Sequence, residues 1–206
     1  MKDKSDMSLT LPSIPAILSW RNHPLPGEIE TENQLRIIAG TNTDWFADPA
    51  DGSAKTSAPV ALFTPPDESF LFAAQVTVEF ASTYDAGVLF VHERDDLWAK
   101  LCFEYSPQRQ PTIVSVVTRD LSDDCNSAAI DANTVYLRIY RRAHIFAFHY
   151  SHDNRYWHLV RYFTLGRLDH LQIGFSAQSP AGTSCAVLFR EINYRPGTLH
   201  DIRNGQ

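Results

Sequence analysis

FLFAAQVTVEF, at residues 70–80, is the stretch that decides the fold class of this chain. Apolar residues stand at every second position from Phe70 to Phe80, and polar residues such as Gln75 and Glu79 stand between them. This alternation predicts a β-strand with one buried face, because successive side chains of a strand point to opposite sides of the sheet. An amphipathic helix would instead repeat its apolar positions every three or four residues.

The same two-residue period recurs along the rest of the chain, with turn residues between the periodic segments. Further segments of this kind are Leu35–Ala39, Ala86–Glu93, Trp98–Tyr105, Thr112–Arg119, Tyr136–Arg142, Ile145–Ser151, Tyr156–Phe163, Leu171–Ala177 and Ala186–Tyr194. No segment shows a helical period over three turns. About ten short strands at even spacing predict an all-β antiparallel sandwich or barrel.

The 206 residues are expected to form one domain rather than two. We place the domain at residues 16–197, with flexible tails at residues 1–15 and 198–206. The segment Asn42–Pro59 is rich in Asp, Ala, Ser and Pro. It is predicted to be a long loop within the domain, because strand patterns continue on both sides of it.

Composition excludes several classes of protein. A content of 44% hydrophobic and 20% charged residues argues against disorder, and a net charge of −6 argues against binding to nucleic acid or an anionic membrane. No apolar run is long enough to span a membrane, and Pro12 and Pro15 interrupt the only candidate for a signal peptide. The three cysteines are widely spaced and form no metal motif. We therefore expect a cytoplasmic protein.

One segment, Trp98–Tyr105, has two faces of different character. Trp98, Lys100, Cys102 and Glu104 share one face of the predicted strand, while the opposite face is apolar. In a two-sheet sandwich the apolar faces form the core, so the charged and aromatic face lies outside. If that sheet is curved, this outer face lines a concave groove, which is our candidate site.

Several short strings occur in the order found in a known family. They are Trp20-Arg21-Asn22-His23-Pro24, Tyr84-Asp85-Ala86-Gly87-Val88-Leu89, Trp98-x-Lys100-x3-Glu104, Val117-Thr118-Arg119-Asp120-Leu121-Ser122-Asp123, Tyr150-Ser151-x-Asp153-Asn154-x-x-Trp157 and Gly174-x4-Ser179-Pro180. Together they resemble the regulation-of-enolase family over nearly the whole chain. Two positions depart from the usual family pattern: Asn154, where Gly is commoner, and Asp124, where an aromatic residue often follows Asp123.

The resemblance implies a concanavalin A-like lectin/glucanase jelly roll, which is a two-sheet antiparallel sandwich. It implies no catalytic residues, because the family has none that are agreed. The family is associated with the control of enolase, and related modules accompany some glycoside hydrolases.

The predicted function is the binding of a small polar ligand, such as a sugar or a sugar-derived metabolite, without catalysis. The candidate ligand-binding residues are Trp98, Lys100, Glu104, Arg119, Asp120, Asp123, Trp45 and Trp157. Lys100 and Arg119 would donate hydrogen bonds, Glu104 and Asp120 would accept them, and an exposed Trp98 would stack on a sugar ring. A solvated strand face with weak Lys–Glu pairs is the competing interpretation of this pattern.

Two other functions remain open. The chain could regulate a metabolic enzyme such as enolase through a protein interface. Alternatively, Glu104 and Asp120 could face one another across neighbouring strands and act as general acid or base. The nearest match to a glucanase carboxylate motif, Glu93–Trp98, falls at a turn and cannot hold two carboxylates at the spacing of about 5–5.5 Å that a retaining pair needs.

The histidine-rich segment from His144 to His158 is predicted to form a hairpin. If Asp153-Asn154 is its two-residue turn, His149 opposes His158 closely enough to share a metal ion. An aromatic-rich hairpin with surface histidines is the preferred interpretation, because no carboxylate is placed nearby. No phosphate-binding or dinucleotide motif occurs, so we expect no cofactor.

Overall fold

The computed structural model of the protein describes residues 8–27 and 30–206. Within these residues the chain forms seventeen β-strands and no helix. The strands are β1 (Ser8–Leu9), β2 (Leu18–Arg21), β3 (Glu30–Thr31), β4 (Gln34–Gly40), β5 (Trp45–Ala47), β6 (Ala54–Thr56), β7 (Val60–Phe63), β8 (Ser69–Val78), β9 (Ala86–Arg94), β10 (Leu97–Tyr105), β11 (Pro111–Arg119), β12 (Leu121–Ala129), β13 (Thr134–Arg142), β14 (Ile145–Ser151), β15 (His158–Thr164), β16 (Gln172–Gln178) and β17 (Ser184–Pro196). No described segment is a helix of the length and hydropathy that a membrane span requires.

Two large antiparallel sheets make up the fold. The first sheet has the strand order β1-β2-β7-β16-β9-β10-β11-β12, and the second has the order β15-β14-β13-β8-β17-β4-β3. A small third sheet pairs β5 with β6. The prediction of an all-β, two-sheet antiparallel jelly-roll sandwich is confirmed.

The main core lies between the two large sheets, and the alternating residues of β8 supply part of it. Phe70, Phe72, Ala74 and Val76 are fully buried there. They face apolar side chains of the first sheet, such as Phe175, whose ring centroid is 5.0 Å from that of Phe72. Burial of such rings is the main favourable contribution to stability in a sandwich of this kind.

Two smaller apolar clusters cover the outer faces of the sandwich. On the first sheet, a cluster that includes Trp45 and Trp98 lies beneath the β5–β6 hairpin. The segment Asn42–Pro59, predicted to be a loop, therefore contains two short strands and packs on the sheet. The apolar side chain of Trp45 packs on the hydrophobic outer face of the sheet, so the segment lies against the sheet and not in solvent.

The two predicted flexible tails contribute to packing where the structure describes them. Leu9, Leu11 and Ile14 are buried in the main core, and Leu199 is buried on the outer face of the second sheet. Apolar side chains near a chain end gain the same burial energy as those in mid-chain, so the ordered part of the sandwich extends beyond the predicted boundaries. Residues 1–7 lie outside the described residues.

The predicted turn at Asp153-Asn154 is wrong. Tyr150 pairs with His158 and His149 pairs with Leu159, which is one residue away from the register of a two-residue turn, and a β-bulge follows between His149 and Phe148. The connection is longer than two residues because the Asp153 carboxylate accepts hydrogen bonds from the backbone N–H groups of Arg155 and Tyr156, which forms a wider turn. His149 and His158 therefore do not face one another.

Candidate functional site

A pocket of about 390 Å³ opens on the outer face of the first sheet. Its floor comes from β10, β11, β12 and the end of β16, and its walls come from the β5–β6 hairpin and from the loops before β9 and after β16. The lining residues are Asp44, Phe46, Asp48, Lys55, Tyr84, Lys100, Glu104, Val116, Asp124, Gln178, Pro180 and Ala181.

Strand register brings the polar floor residues together. Lys100 pairs with Val116, and Val116 pairs with Asp124, so all three side chains share one face. In the same way, Ala86 lies between Glu104 and Gln178 in the sheet. The short side chain of Ala86 leaves the space through which the Gln178 amide approaches Glu104.

Lys100 is the central charge of the pocket floor, and only 3% of its surface is exposed. Its ammonium donates hydrogen bonds to Gln178 Oε1 at 2.9 Å and to Asp44 Oδ1 at 3.2 Å. Burial opposes the charge, but the attraction of Asp44, with smaller contributions from Cys102 and Glu104, outweighs it and raises the pKa of Lys100. The side chain is therefore a fixed cation.

Glu104 lies beside this cation and is also buried. Burial raises the pKa of Glu104 to about 8, against the opposing effect of Lys100 and with the help of Asp124 and Asp44. The carboxyl group is therefore mostly protonated at neutral pH and has a proton to donate. Gln178 bridges it to the loop, since its amide N–H group donates to Tyr84 O at 3.2 Å and contacts Glu104 Oε2 at 3.5 Å.

The pocket thus combines donors and acceptors in a small space. Lys100 and the protonated Glu104 can donate hydrogen bonds, while Asp44 and Asp124 carry acceptor oxygens. Burial raises the pKa of Asp124 as well, which indicates a partly desolvated carboxylate. The half-exposed ring of Tyr84 adds an apolar surface. This mixture suits a small molecule with several hydroxyl or charged groups.

Trp98 and Trp45 do not line this pocket, and the expectation of an exposed Trp98 is wrong. Each side chain is 1% exposed, and their ring centroids lie 5.9 Å apart in an edge-to-face contact. Trp45 also donates its indole N–H to Ala58 O at 3.0 Å. Trp45 is instead part of the apolar cluster that lies between the β5–β6 hairpin and the first sheet. Its neighbour Phe46 lines the pocket.

Arg119, Asp120 and Asp123 lie outside the pocket, although sequence placed them in it. Arg119 donates a hydrogen bond to Thr164 O, and Asp123 forms an ion pair with Arg161 at 2.8 Å. Asp120 is the turn residue between β11 and β12, with a φ of 64°. A shift of one residue reverses the face of a strand, so Asp124 enters the pocket while Asp123 points away.

The predicted pairing of Glu104 with Asp120 is also wrong. Glu104 is opposite Thr112, whereas Asp120 follows Arg119, which is opposite Leu97 at the far end of β10. The two carboxyl groups therefore lie at opposite ends of the strand pair. Trp157 is on the second sheet, where its ring lies beneath the Arg138 guanidinium.

Ten of the twelve lining residues were not predicted, among them Asp44, Tyr84, Asp124 and Gln178. A signal for Asp124 was present, because a one-residue turn at Asp120 places Ser122, Asp124 and Asn126 on the Lys100 face. The β12 segment is mostly polar, and its pattern is too weak to predict a strand. Asp44 and Tyr84 come from loops, for which periodicity carries no information.

A metal site at the histidine hairpin receives no geometric support. His149 is buried and its Nε2 is 2.7 Å from Ile202 O, whereas His158 stacks on Tyr150. Across the described residues, no group of three or more His, Cys, Asp or Glu side chains could hold a metal ion.

The family described as "Protein of unknown function (DUF1349)" matches residues 20–197, and no curated protein matches the sequence. A functionally unknown protein from Saccharomyces cerevisiae is similar in structure, with a TM-score of 0.81 and 22% identity over 88% of this chain and 97% of that chain. The jelly-roll resemblance is therefore confirmed at the level of fold. The regulation-of-enolase name stays a prediction.

Two longer proteins contain a similar fold. A mutant of the GH43 protein BlXynB from Bacillus licheniformis has a TM-score of 0.68 and 18% identity over 86% of this chain and 37% of that chain. A xylan beta-1,4-xylosidase from Bacillus halodurans C-125 has a TM-score of 0.60 and 12% identity over 80% and 33% of the two chains. At such identities the likeness shows the fold alone, and this chain spans about a third of these two proteins.

Proposed function

The chain belongs to the DUF1349 family, whose description assigns no function, and from its own pocket we propose that it binds a small polar molecule of the sugar or sugar-derived class without transforming it. The pocket is the one floored by Lys100, Glu104 and Gln178.

The observation that carries this proposal is the buried polar network at the pocket floor. Lys100, Gln178 and Glu104 are held by hydrogen bonds to one another, to Asp44 and to the backbone before any ligand arrives. Preorganised polar groups lose little conformational freedom on binding, so more of their interaction energy appears as affinity. A merely solvated strand face would leave such groups in water, whereas here they are buried at the base of an open pocket.

The sugar class follows from the mixture of groups in the wall. Each hydroxyl of a sugar both donates and accepts, and the pocket provides donors next to acceptors. The ring of Tyr84 is available for apolar contact with one face of a pyranose. The presence of this fold within GH43 proteins makes sugars and sugar acids the first compounds to test.

The test is a thermal-shift and calorimetric screen with D-glucose, D-xylose, sorbitol, D-gluconate and D-glucuronate. We expect one or more to raise the midpoint of unfolding, because a ligand that binds only the folded state stabilises it. Asp124→Ala should weaken that ligand about tenfold, since it removes a hydrogen bond to a charged acceptor. Asp123→Ala is the matched control on the other face of the same strand and should leave affinity unchanged.

The raised pKa of Glu104 favours one second candidate, which is catalysis with Glu104 as a general acid. A carboxylic acid that keeps its proton at neutral pH can protonate a leaving group. Under this alternative the protein turns over a member of a broad glycoside panel, and Glu104→Gln abolishes turnover while ligand binding persists. Binding without turnover on the same panel supports the non-catalytic proposal.

A further inference from the structure

Arg138 is a buried cation on the opposite side of the molecule, on the outer face of the second sheet. It is 5% exposed, and its Cζ lies 4.0 Å from the ring centroid of Trp157. One guanidinium nitrogen, Nη2, donates to Gly205 O at 2.9 Å, whereas Nε is buried without a hydrogen-bond partner. Within the described residues, no carboxylate lies within ion-pairing distance of it.

Burial of an unpaired charge is costly, and buried charges in proteins are normally paired. The pKa of Arg138 reflects this cost, since burial and then the nearby charge of Arg195 lower it to about 9. An anion that binds to Arg138 would offset this cost and would therefore stabilise the folded protein.

The structure provides access to this arginine through a second pocket, of about 440 Å³. In the sheet, Arg138 is opposite Ala73, and Ala73 is opposite Asn193. The small Ala73 side chain leaves a hollow between its two longer neighbours. The next pair on this face of the same two strands is Leu71 and Arg195, so a second cation lies at the rim of the hollow.

The charges around this hollow are unevenly distributed. Arg138 and Arg195 both line it, and neither has a carboxylate partner in the described structure. The one acidic lining residue, Glu191, accepts a hydrogen bond from the Tyr136 hydroxyl at 2.9 Å. The nearby charge that shifts the pKa of Arg138 is that of Arg195 and not that of Glu191. The region around Arg138 is therefore positive in a protein whose net charge is −6.

We propose that this hollow is a second binding site, for a small molecule that carries a carboxylate or phosphate group, with Arg138 and Arg195 as the anion-binding residues. Two guanidinium groups beside a pocket suit an oxyanion, because planar N–H groups match the geometry of its oxygens. Trp157 holds the Arg138 guanidinium in place through cation–π contact. Asn154 and Asn193 add amide groups at the rim.

Titration with sodium phosphate and with sodium succinate tests the proposal, with sodium chloride at matched ionic strength as the reference. We expect phosphate, succinate or both to raise the midpoint of unfolding and to shift the Trp157 indole N–H signal in NMR spectra. Arg195→Gln, an exposed substitution that should not disturb folding, is expected to weaken the response about tenfold. Arg138→Met retains the packing on Trp157 and is expected to abolish the response.

Arg109→Gln is the matched control, because Arg109 is an exposed arginine at the turn between β10 and β11 of the other sheet. It should leave the titration unchanged. The two anions distinguish a phosphate from a carboxylate ligand. The proposal is overturned if neither anion acts beyond chloride, or if Arg195→Gln reduces the response no more than Arg109→Gln does. Should Arg138→Met not fold, Arg195→Gln and the Trp157 signal still decide the question.

Discussion

At the scale of single residues, Glu104 makes a specific pH dependence testable. Its carboxyl group has a pKa of about 8 in the folded protein against an ordinary value of 4.5. Between these values the folded state holds a proton that the unfolded state has released, so the free energy of unfolding falls as pH rises from about 4.5 to about 8. Glu104→Gln removes the titrating group and with it this pH-dependent loss of stability.

Urea unfolding of wild type and Glu104→Gln at several pH values measures the effect. The variant should gain stability relative to wild type as pH rises, by an amount on the order of a few kcal/mol across the whole window. Asp124, whose pKa is also raised, is present in both proteins, so the comparison measures the contribution of Glu104 together with its coupling to Asp124. A stability difference that does not change between pH 4.5 and pH 8 would contradict a buried, protonated Glu104.

Single residues also explain why some of the pocket could be predicted from the sequence and the rest could not. Lys100 and Glu104 were correctly placed on one face because β10 pairs with β11 without a bulge, so its side chains alternate in direction along the whole strand. Trp98 is on that face too, but the β5–β6 hairpin covers it. This contact joins segments that are distant in sequence, so the local pattern of β10 could not predict it. Asp123 was assigned to the pocket and Asp124 was not, because no strand was predicted for this polar segment and its alternation of faces was therefore unknown.

At the scale of elements, the β5–β6 hairpin forms one wall of the pocket, and Trp45 anchors it. Trp45 is buried against Phe90, with ring centroids 5.2 Å apart, and against Trp98. Trp45→Ala should cost about 3–5 kcal/mol of unfolding free energy, the usual cost of emptying a buried aromatic site. It should also speed hydrogen exchange across residues 44–58, because the hairpin loses its anchor.

Phe46→Ala is the matched control for this hairpin. Phe46 is the next residue along the chain, is only partly buried and faces the pocket. The substitution should cost about 1 kcal/mol and leave exchange in the hairpin nearly unchanged. Equal effects of Trp45→Ala and Phe46→Ala on exchange would show that the hairpin is not anchored by its tryptophan.

Strand β16 contains a glycine that the first sheet requires. A Cβ atom at Gly174 would lie 1.8 Å from Ala61 O, which belongs to the neighbouring strand β7. Gly174→Ala should therefore force β7 and β16 apart and cost more than about 2 kcal/mol. Gly166→Ala, at a position with φ of 79° and open space around it, should cost only about 1 kcal/mol of backbone strain. Chemical denaturation of both variants measures the difference.

At the scale of the whole molecule, the fold was predictable because it depends on a pattern that repeats along the chain. Two-residue alternation in segments such as β8 and β10 specifies which face is buried, and two such faces specify a sandwich. The pocket was predictable only in part. Its floor follows from the strands, but Asp44 and Tyr84 reach it from loops whose course is set by tertiary packing.

The two proposed sites lie on opposite outer faces, with the main core between them. They share no lining residue, so substitutions in one should act independently of the other. Asp124→Ala should leave the response to phosphate or succinate unchanged, and Arg195→Gln should leave the affinity for a sugar ligand unchanged. Calorimetric titration of both variants with both ligands measures the coupling. A change of more than about threefold in either cross-titration would contradict independence.

The most direct test of the binding account is an NMR titration of the wild-type protein with the five sugars, sugar alcohols and sugar acids of the panel. The signals to follow are the Gln178 side-chain amide and the Tyr84 backbone amide, which lie at the pocket floor and wall. The account predicts that at least one compound shifts both signals saturably. If no compound shifts them, or if the shifts fall elsewhere on the protein, the proposed binding site is wrong.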